Sequence, residues 1–144
     1  MKIYKFLILF TIVLLVQCTG KTAVKISIEE IKGTEWDITI AEGCISILSF
    51  MDDNTYIDYN CEMEDTLYGS YKIEGNNLVL YQEGSIYDKI YDEGSPHRIG
   101  KAKFKLSLNN DKLRYILRED YFDGEWTKSK HTFPEDYYYN KIKQ

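Results

Sequence analysis

The stretch Cys44-Ile-Ser-Ile-Leu-Ser-Phe50, Met51-Asp-Asp-Asn54, Thr55-Tyr-Ile-Asp-Tyr-Asn-Cys61 decides how this chain folds. Two runs rich in Ile, Phe, Tyr and Thr flank a polar loop, the pattern of a β-hairpin. If Phe50 stands opposite Thr55, each step back along one run matches a step forward along the other, and Cys44 falls opposite Cys61. A non-hydrogen-bonded antiparallel site holds Cα atoms about 4.5 Å apart, within bridging range. A disulfide closing a loop of this size stabilises a fold by about 3 kcal/mol in the chain-entropy model. With no CxxC or Cys/His cluster in the sequence, the pair reads as structural rather than as a redox or metal centre.

The same construction recurs downstream. Tyr71-Lys-Ile73 and Leu78-Val-Leu80 flank Glu74-Gly75-Asn76-Asn77, which sets Tyr71 opposite Leu80 and Ile73 opposite Leu78. Phe104, Leu106 and Leu108 precede Asn109-Asn110-Asp111-Lys112 and meet Leu117, Tyr115 and Leu113 in the same way. Each hairpin carries one apolar face of period two. Asp123-Gly124, between Phe122 and Glu125, is a two-residue hairpin signal. Trp36 to Ile40 and Trp126 to Thr132 add a strand before and a strand after these hairpins, and the Tyr-rich stretch Tyr81 to Tyr91 offers a further one. The spacing predicts an all-β fold, an antiparallel meander of about eight strands closing into a barrel that leaves no exposed edge. The one helical signal in this domain is Ser27-Ile-Glu-Glu30, a capping box opening a short turn before Gly33.

The chain has 144 residues, 18 Lys and Arg, 23 Asp and Glu, and 13 Tyr against only 2 Pro. Its first seventeen residues skew these averages. Lys2 and Lys5 precede an apolar run from Phe6 to Val16 broken only by Thr11, the pattern of an export signal. A spanning helix needs about 20 apolar residues, and Gln17-Cys18-Thr19-Gly20-Lys21 arrives too early for that. Without this segment, 16 basic residues face 23 acidic ones, a formal charge of −7. Nucleic acid is therefore an unsuitable partner, since phosphate backbones are held by clustered Lys and Arg. The expected organisation is a signal peptide over 1–17, a tether over 18–26 and one monomeric barrel domain over 27–144.

Leu15-Val16-Gln17-Cys18 resembles the lipobox of bacterial lipoproteins, whose cysteine is lipidated and becomes the mature N-terminus; Gln17 stands where that family usually has Gly, Ala or Ser. Cleavage after Gly20 by an ordinary signal peptidase is the alternative, giving a freely secreted or periplasmic protein. The resemblance implies an acyl anchor at Cys18, each buried methylene contributing about 0.8 kcal/mol, and a periplasm-facing place in the cell envelope. Export also favours oxidation of the remaining cysteine pair.

The domain itself resembles the small lipocalin-like domains of secreted bacterial lipoproteins. The resemblance rests on Ile31-Lys-Gly33-Thr-Glu-Trp36 after a helical turn, on Phe50 to Tyr56, on Gly69 to Leu80 and on the Phe104–Leu117 hairpin, and it spans Ser27 to Thr132. It implies a barrel whose interior holds a small apolar or amphipathic ligand, with Tyr71, Leu80, Phe104 and Tyr115 on the inward face as candidate contacts. The alternative is a protein-interaction module, an envelope inhibitor or assembly partner, whose barrel is filled by its own side chains. The mostly large inward residues temper the first reading, and for the second the long segment from Glu83 to Lys101 suits an exposed loop.

No catalytic constellation, cofactor or metal is expected. His97 lies in Gly94-Ser-Pro-His-Arg-Ile-Gly100, a loop by its Pro and Gly, and Pro134 breaks the helical spacing between His131 and Glu135. Asp52-Asp53-Asn54 supplies too few oxygens for the six to eight that calcium takes. Asp52-Asp53, Glu62 to Asp65, Asp92-Glu93 and Glu119-Asp120 fall at turns and strand ends. Tyr137-Tyr138-Tyr139 offers a platform for a sugar or a partner, with packing that closes against the barrel the preferred reading.

The anchor is tested by Cys18→Ser. The variant should leave the membrane fraction and appear in the soluble periplasmic fraction; unchanged membrane association would count against lipidation.

Overall fold

A computed structural model describes residues 25–87 and 100–143; the signal segment, Cys18, His97 and Asp92-Glu93 lie outside the described residues. A 3₁₀ turn over Ile28–Glu30 is followed by strands β1 (Glu35–Ala41), β2 (Cys44–Phe50), β3 (Thr55–Asn60), β4 (Asp65–Glu74), β5 (Asn77–Ser85), β6 (Ala102–Asn109), β7 (Lys112–Phe122), β8 (Glu125–Lys128) and β9 (Tyr138–Lys141). Strands β1 to β7 form an antiparallel meander, and β9 pairs with both β1 and β7. The result is the closed antiparallel barrel of eight strands that the hairpin spacing predicts. The Ser27 N–H donates to Glu30 Oε2 at 2.8 Å, one arm of the capping box.

Two of the staves differ from those expected. The chain after Asp123-Gly124, both at positive φ (49° and 87°), returns as β8 along the outside of β7 with all four residues exposed, so Trp126 to Thr132 is not a barrel strand. The eighth stave is β9, formed from the Tyr137-Tyr138-Tyr139 stretch. Tyr81 to Ser85 lengthens β5 instead of starting a strand of its own. A strand needs a partner edge, and β5 continues to find one along β4, where Leu67 meets Ser85.

Register follows the turns. In β4–β5, Tyr71 pairs with Leu80 and Ile73 with Leu78 as expected, and Gly75 at φ 61° takes the first turn position, where φ must be positive in a type II′ turn. In β6–β7, Leu106 meets Tyr115 and Leu108 meets Leu113, but a bulge between Lys105 and Leu106 then sets Phe104 opposite Arg118, not Leu117. A bulge places two residues against one and so shifts every later pair.

The deciding hairpin is also one residue away from expectation. Phe50 pairs with Tyr56, not Thr55. The Asp53 carboxylate accepts the Thr55 N–H at 3.0 Å and its hydroxyl at 2.5 Å, Asn54 sits at φ 66°, and the Met51 N–H donates to Thr55 O at 2.8 Å. This is a three-residue loop with its last residue left-handed, a recurrent hairpin form. A slip of one exchanges the faces of a strand. Tyr56 and Asp58 consequently point inward, while Ile57 (36% exposed) and Tyr59 (41%) point out. The Cys44–Cys61 disulfide forms as predicted, with Cα atoms 5.4 Å apart, but beyond the ladder rather than across it. The last β2–β3 pair is Ile47 with Tyr59; there the chain turns on Asn60, and the Cys61 N–H donates to the buried Ser46 Oγ at 3.1 Å.

One end of the barrel is closed by the N-terminal turn, which buries Ile26 and Ile31 beside Trp36. Thr34, between Gly33 and Trp36, ties this end together. Its hydroxyl accepts the Trp36 Nε1–H at 2.8 Å and donates to Ile31 O at 2.6 Å, while its carbonyl accepts the Phe50 N–H at 2.9 Å.

At the β4 bulge, Gly69 lies so close to β5 that an added Cβ would stand 1.9 Å from Tyr81 O. Gly69→Ala should therefore destabilise the fold by about 3 kcal/mol or more, since the backbone must move to admit the methyl group. Urea unfolding checks this; a loss below about 1 kcal/mol would show that the bulge relaxes without strain.

Candidate functional site

The inward turn of β3 buries a carboxylate. Asp58 lies between Leu48 and Leu67 on the neighbouring strands and is 8% exposed. The Tyr139 hydroxyl donates to Asp58 Oδ1 at 3.4 Å. Burial pushes the Asp58 carboxyl up to about 6, against a smaller opposite pull from the Tyr139 and Tyr115 hydroxyls. Tyr56, Tyr115 and Tyr139 are themselves buried, and burial together with the Asp58 charge drives their hydroxyls well above the usual tyrosine range. At physiological pH they are hydrogen-bond donors.

Around this carboxylate stands an aromatic lattice. The Tyr115 ring lies edge-on to Phe104 (centroids 5.4 Å apart) and to Tyr139 (5.8 Å), and it stacks on Phe133 at 5.0 Å. Each such contact contributes about 0.5–1.5 kcal/mol beyond burial. Neither Asp58 nor Tyr56 stands out in the sequence, and Tyr139 reads there only as part of a tyrosine run that closes against the barrel. The Asp53-x-Thr55 spacing was the available signal, because a side chain that caps the residue two ahead tightens the loop and reverses the face of everything after it.

The four residues expected to face a ligand do share the inner wall. Tyr71 pairs with Leu80, and Leu80 in turn pairs with Phe104, which touches Tyr115. They stand, however, inside a filled core. Leu80 is fully buried, Tyr71 lies edge-on to Phe50 at 5.0 Å, and its hydroxyl donates to Met51 O at 2.8 Å. The core they belong to also includes Trp36, Leu48, Tyr56, Leu78, Leu106 and Leu113.

Among the described residues no group of three or more His, Cys, Asp and Glu is placed to hold a metal. His131 is exposed and rests edge-on to Phe133 at 4.9 Å. Asp53 serves the turn: its bonds to Thr55 hold its carboxyl below the ordinary range.

The outside of the barrel is two-sided. At the end of β4 and along β5 to β8 it is charged and bridged, with Lys72–Glu74 of β4 at 2.9 Å, Lys103–Glu119 at 2.5 Å and the Lys103 ammonium 5.7 Å from the Trp126 ring. On β2, β3 and the first part of β4 the outward positions are Ile45, Ile47 and Ser49, then Thr55, Ile57 and Tyr59, then Thr66, Tyr68 and Ser70, none of them charged; β4 then ends on the exposed pair Lys72 and Glu74, and β1 sets Asp37 beside Ile47. Ile47 pairs with Tyr59, and Ile57 with Tyr68, making one continuous apolar stripe. A cleft of about 350 Å³ opens beside it, between Ile57, Tyr68, Met51 and the carboxylate-bearing Glu83.

The buried acid makes stability depend on pH. In the unfolded chain the Asp58 carboxyl ionises near 3.8, in the fold near 6, so the fold holds the proton more tightly. The stabilisation this proton brings is complete below pH 3.8 and is lost as pH rises through 6, a cost on the order of 3 kcal/mol by pH 7. Asp58→Asn should remove that dependence. Measured by urea unfolding, the variant should gain on the parent between pH 4 and pH 7; a difference independent of pH would show that Asp58 titrates normally.

Comparison with protein-family models, with curated proteins and with solved structures finds no match for this chain.

Proposed function

We propose that this chain is an exported protein of the bacterial cell envelope, similar to the lipocalin-like lipoproteins, anchored through Cys18 on the periplasmic side, which works without catalysis by docking a protein partner on the outer face of β2 to β4. The observation that carries this reading is the uncharged stripe of Ile45, Ile47, Ile57, Tyr59 and Tyr68. In a chain with 28% charged residues, an uncharged stripe that runs across three strands stands out, and contiguous exposed apolar patches on soluble proteins mark interaction sites. Interface cores are depleted in charge and enriched in aromatic side chains, as this face is. The partner surface that fits it is apolar and uncharged, because a charged group placed against these residues would lose its water without gaining a counter-ion.

A small apolar ligand held along the barrel axis is the alternative. The core supports it less, since Trp36, Phe50, Tyr71, Leu80 and Tyr115 already occupy the interior, and a small barrel takes a ligand only where inward side chains leave room. The carboxylate of Asp58 among its tyrosines is the one interior feature that a ligand with a hydrogen-bond donor would match.

A photo-cross-linking residue introduced at Ile57 or Tyr59 in living cells should trap one protein partner, and the same residue at Lys105, on the charged side, should trap none. Ile45→Glu should reduce the adduct about tenfold or more, in line with the loss of a central interface contact, while the unfolding midpoint of this exposed site changes little. The proposal fails if no site-specific adduct forms and native mass spectrometry of the envelope-purified protein shows a co-purified apolar molecule instead.

A further inference from the structure

The barrel seam holds a second feature, independent of the apolar stripe. β9 covers only Lys112 to Arg114 of the β7 edge, and β8 takes up that edge again at Glu119. Between them Tyr115, Ile116 and Leu117 meet no strand on that side, and the chain from Lys128 to Phe133 crosses the gap without joining a ladder there. A cleft of about 330 Å³ opens under this crossing.

Its chemistry is one-sided. Arg114, Arg118, Lys128 and His131 line it, and none of the lining residues is acidic, in a chain of net charge −5. Arg118 is partly neutralised, donating from Nε to Asp120 Oδ1 at 2.7 Å with its guanidinium 5.5 Å from the Phe104 ring. Arg114 is not: its Nε is buried and has no hydrogen-bond partner. Among the described residues Lys128 has no ion pair either. A flat aromatic wall completes the cleft, because Phe133 stacks on Tyr115 at an interplanar angle of 23°.

We infer that this cleft binds a small organic oxyanion, a carboxylate or phosphate ester carried on a flat apolar body. A buried donor left without an acceptor is costly, and an oxyanion supplies the acceptor that Arg114 lacks. The planar guanidinium presents several N–H groups in a fork that matches two oxygens of one carboxylate or phosphate, a geometry an ammonium cannot reproduce. Lys128 adds charge without demanding geometry, while the half-buried Phe133, backed by the buried Tyr115, offers a ring surface for the apolar body. Neither the anionic group nor the apolar body alone uses both halves of the site.

The full chain as its host produces it, held in a non-ionic detergent, can be titrated with 1-naphthyl phosphate and followed by the fluorescence of the naphthyl ring. Saturable binding is expected, weakened about tenfold by Arg114→Gln and similarly by Lys128→Gln, as befits loss of a charge-assisted contact, and unchanged by Lys72→Gln, which does not line the cleft. Arg114→Gln should also leave the unfolding midpoint equal or higher, since it removes the orphaned donor; this separates lost binding from lost folding. Equal affinity for 1-naphthol would overturn the anion half of the assignment, and equal affinity for inorganic phosphate the apolar half. Indifference to both substitutions overturns the site itself. If phosphatidylglycerol vesicles engage Arg114 and Lys128 while naphthyl phosphate does not bind, the anion is a lipid headgroup and the small-molecule assignment falls.

Discussion

When the Asp53 carboxylate accepts both the amide and the hydroxyl of Thr55, it holds Asn54 in the left-handed region and shortens the β2–β3 loop to three residues. All that is distinctive about this barrel depends on that constraint. Strand faces alternate with a period of two, so a single residue in a loop decides which half of β3 lies inside. With this loop Phe50 meets Tyr56, the Asp58 carboxylate enters the core, and Ile57 and Tyr59 are left on the outside. Opposite signs of mismatch thus share one cause: a charge-bearing group buried among tyrosines, and apolar groups exposed to solvent.

The interior accommodates Asp58 because it is bordered by hydroxyls. A lone carboxylate in an apolar core would be driven almost wholly to its neutral form. Here Tyr139 and Tyr115 turn their hydroxyls toward it and oppose part of that shift, and they can do so because β9 and β7 run side by side at that level, with Leu113 opposite Tyr139. The tyrosines in turn are fixed by ring contacts with Phe104 and Phe133. Polar and aromatic packing are therefore one network, and a change to any member is felt as both a lost contact and an altered acidity.

Closure by so short a strand as β9 has the second large consequence. Four residues join β1 to β7 only near one end, which suffices to remove the free edges there but leaves both neighbours unpaired further along. The segment from Ser129 to Tyr137 covers the gap with side chains, and clefts of about 340 and 330 Å³ remain on its two sides. A full-length closing strand would have sealed them. The filled axis and the incomplete seam together move the accessible chemistry of this barrel from its interior to its wall.

Alternation of apolar and polar residues, with turn residues every few positions, was enough to read an antiparallel eight-stave barrel, the β4–β5 register and the Cys44–Cys61 bridge, because these depend on local periodicity and on which residues a short loop brings near. The inward row of Tyr71, Leu80, Phe104 and Tyr115 was legible for the same reason. Three features were not. The face of β3 turned on a capping bond within one loop, whose effect on register exceeds anything its few residues announce. The shift in β6–β7 arose from a bulge, and the closing stave came from a Tyr-rich C-terminal stretch that has strand form only because β1 and β7 present edges to it. Local pattern determines which segments become strands; only the closed tertiary structure decides which edge each strand meets and which of its faces is buried, since both depend on residues far away in the chain.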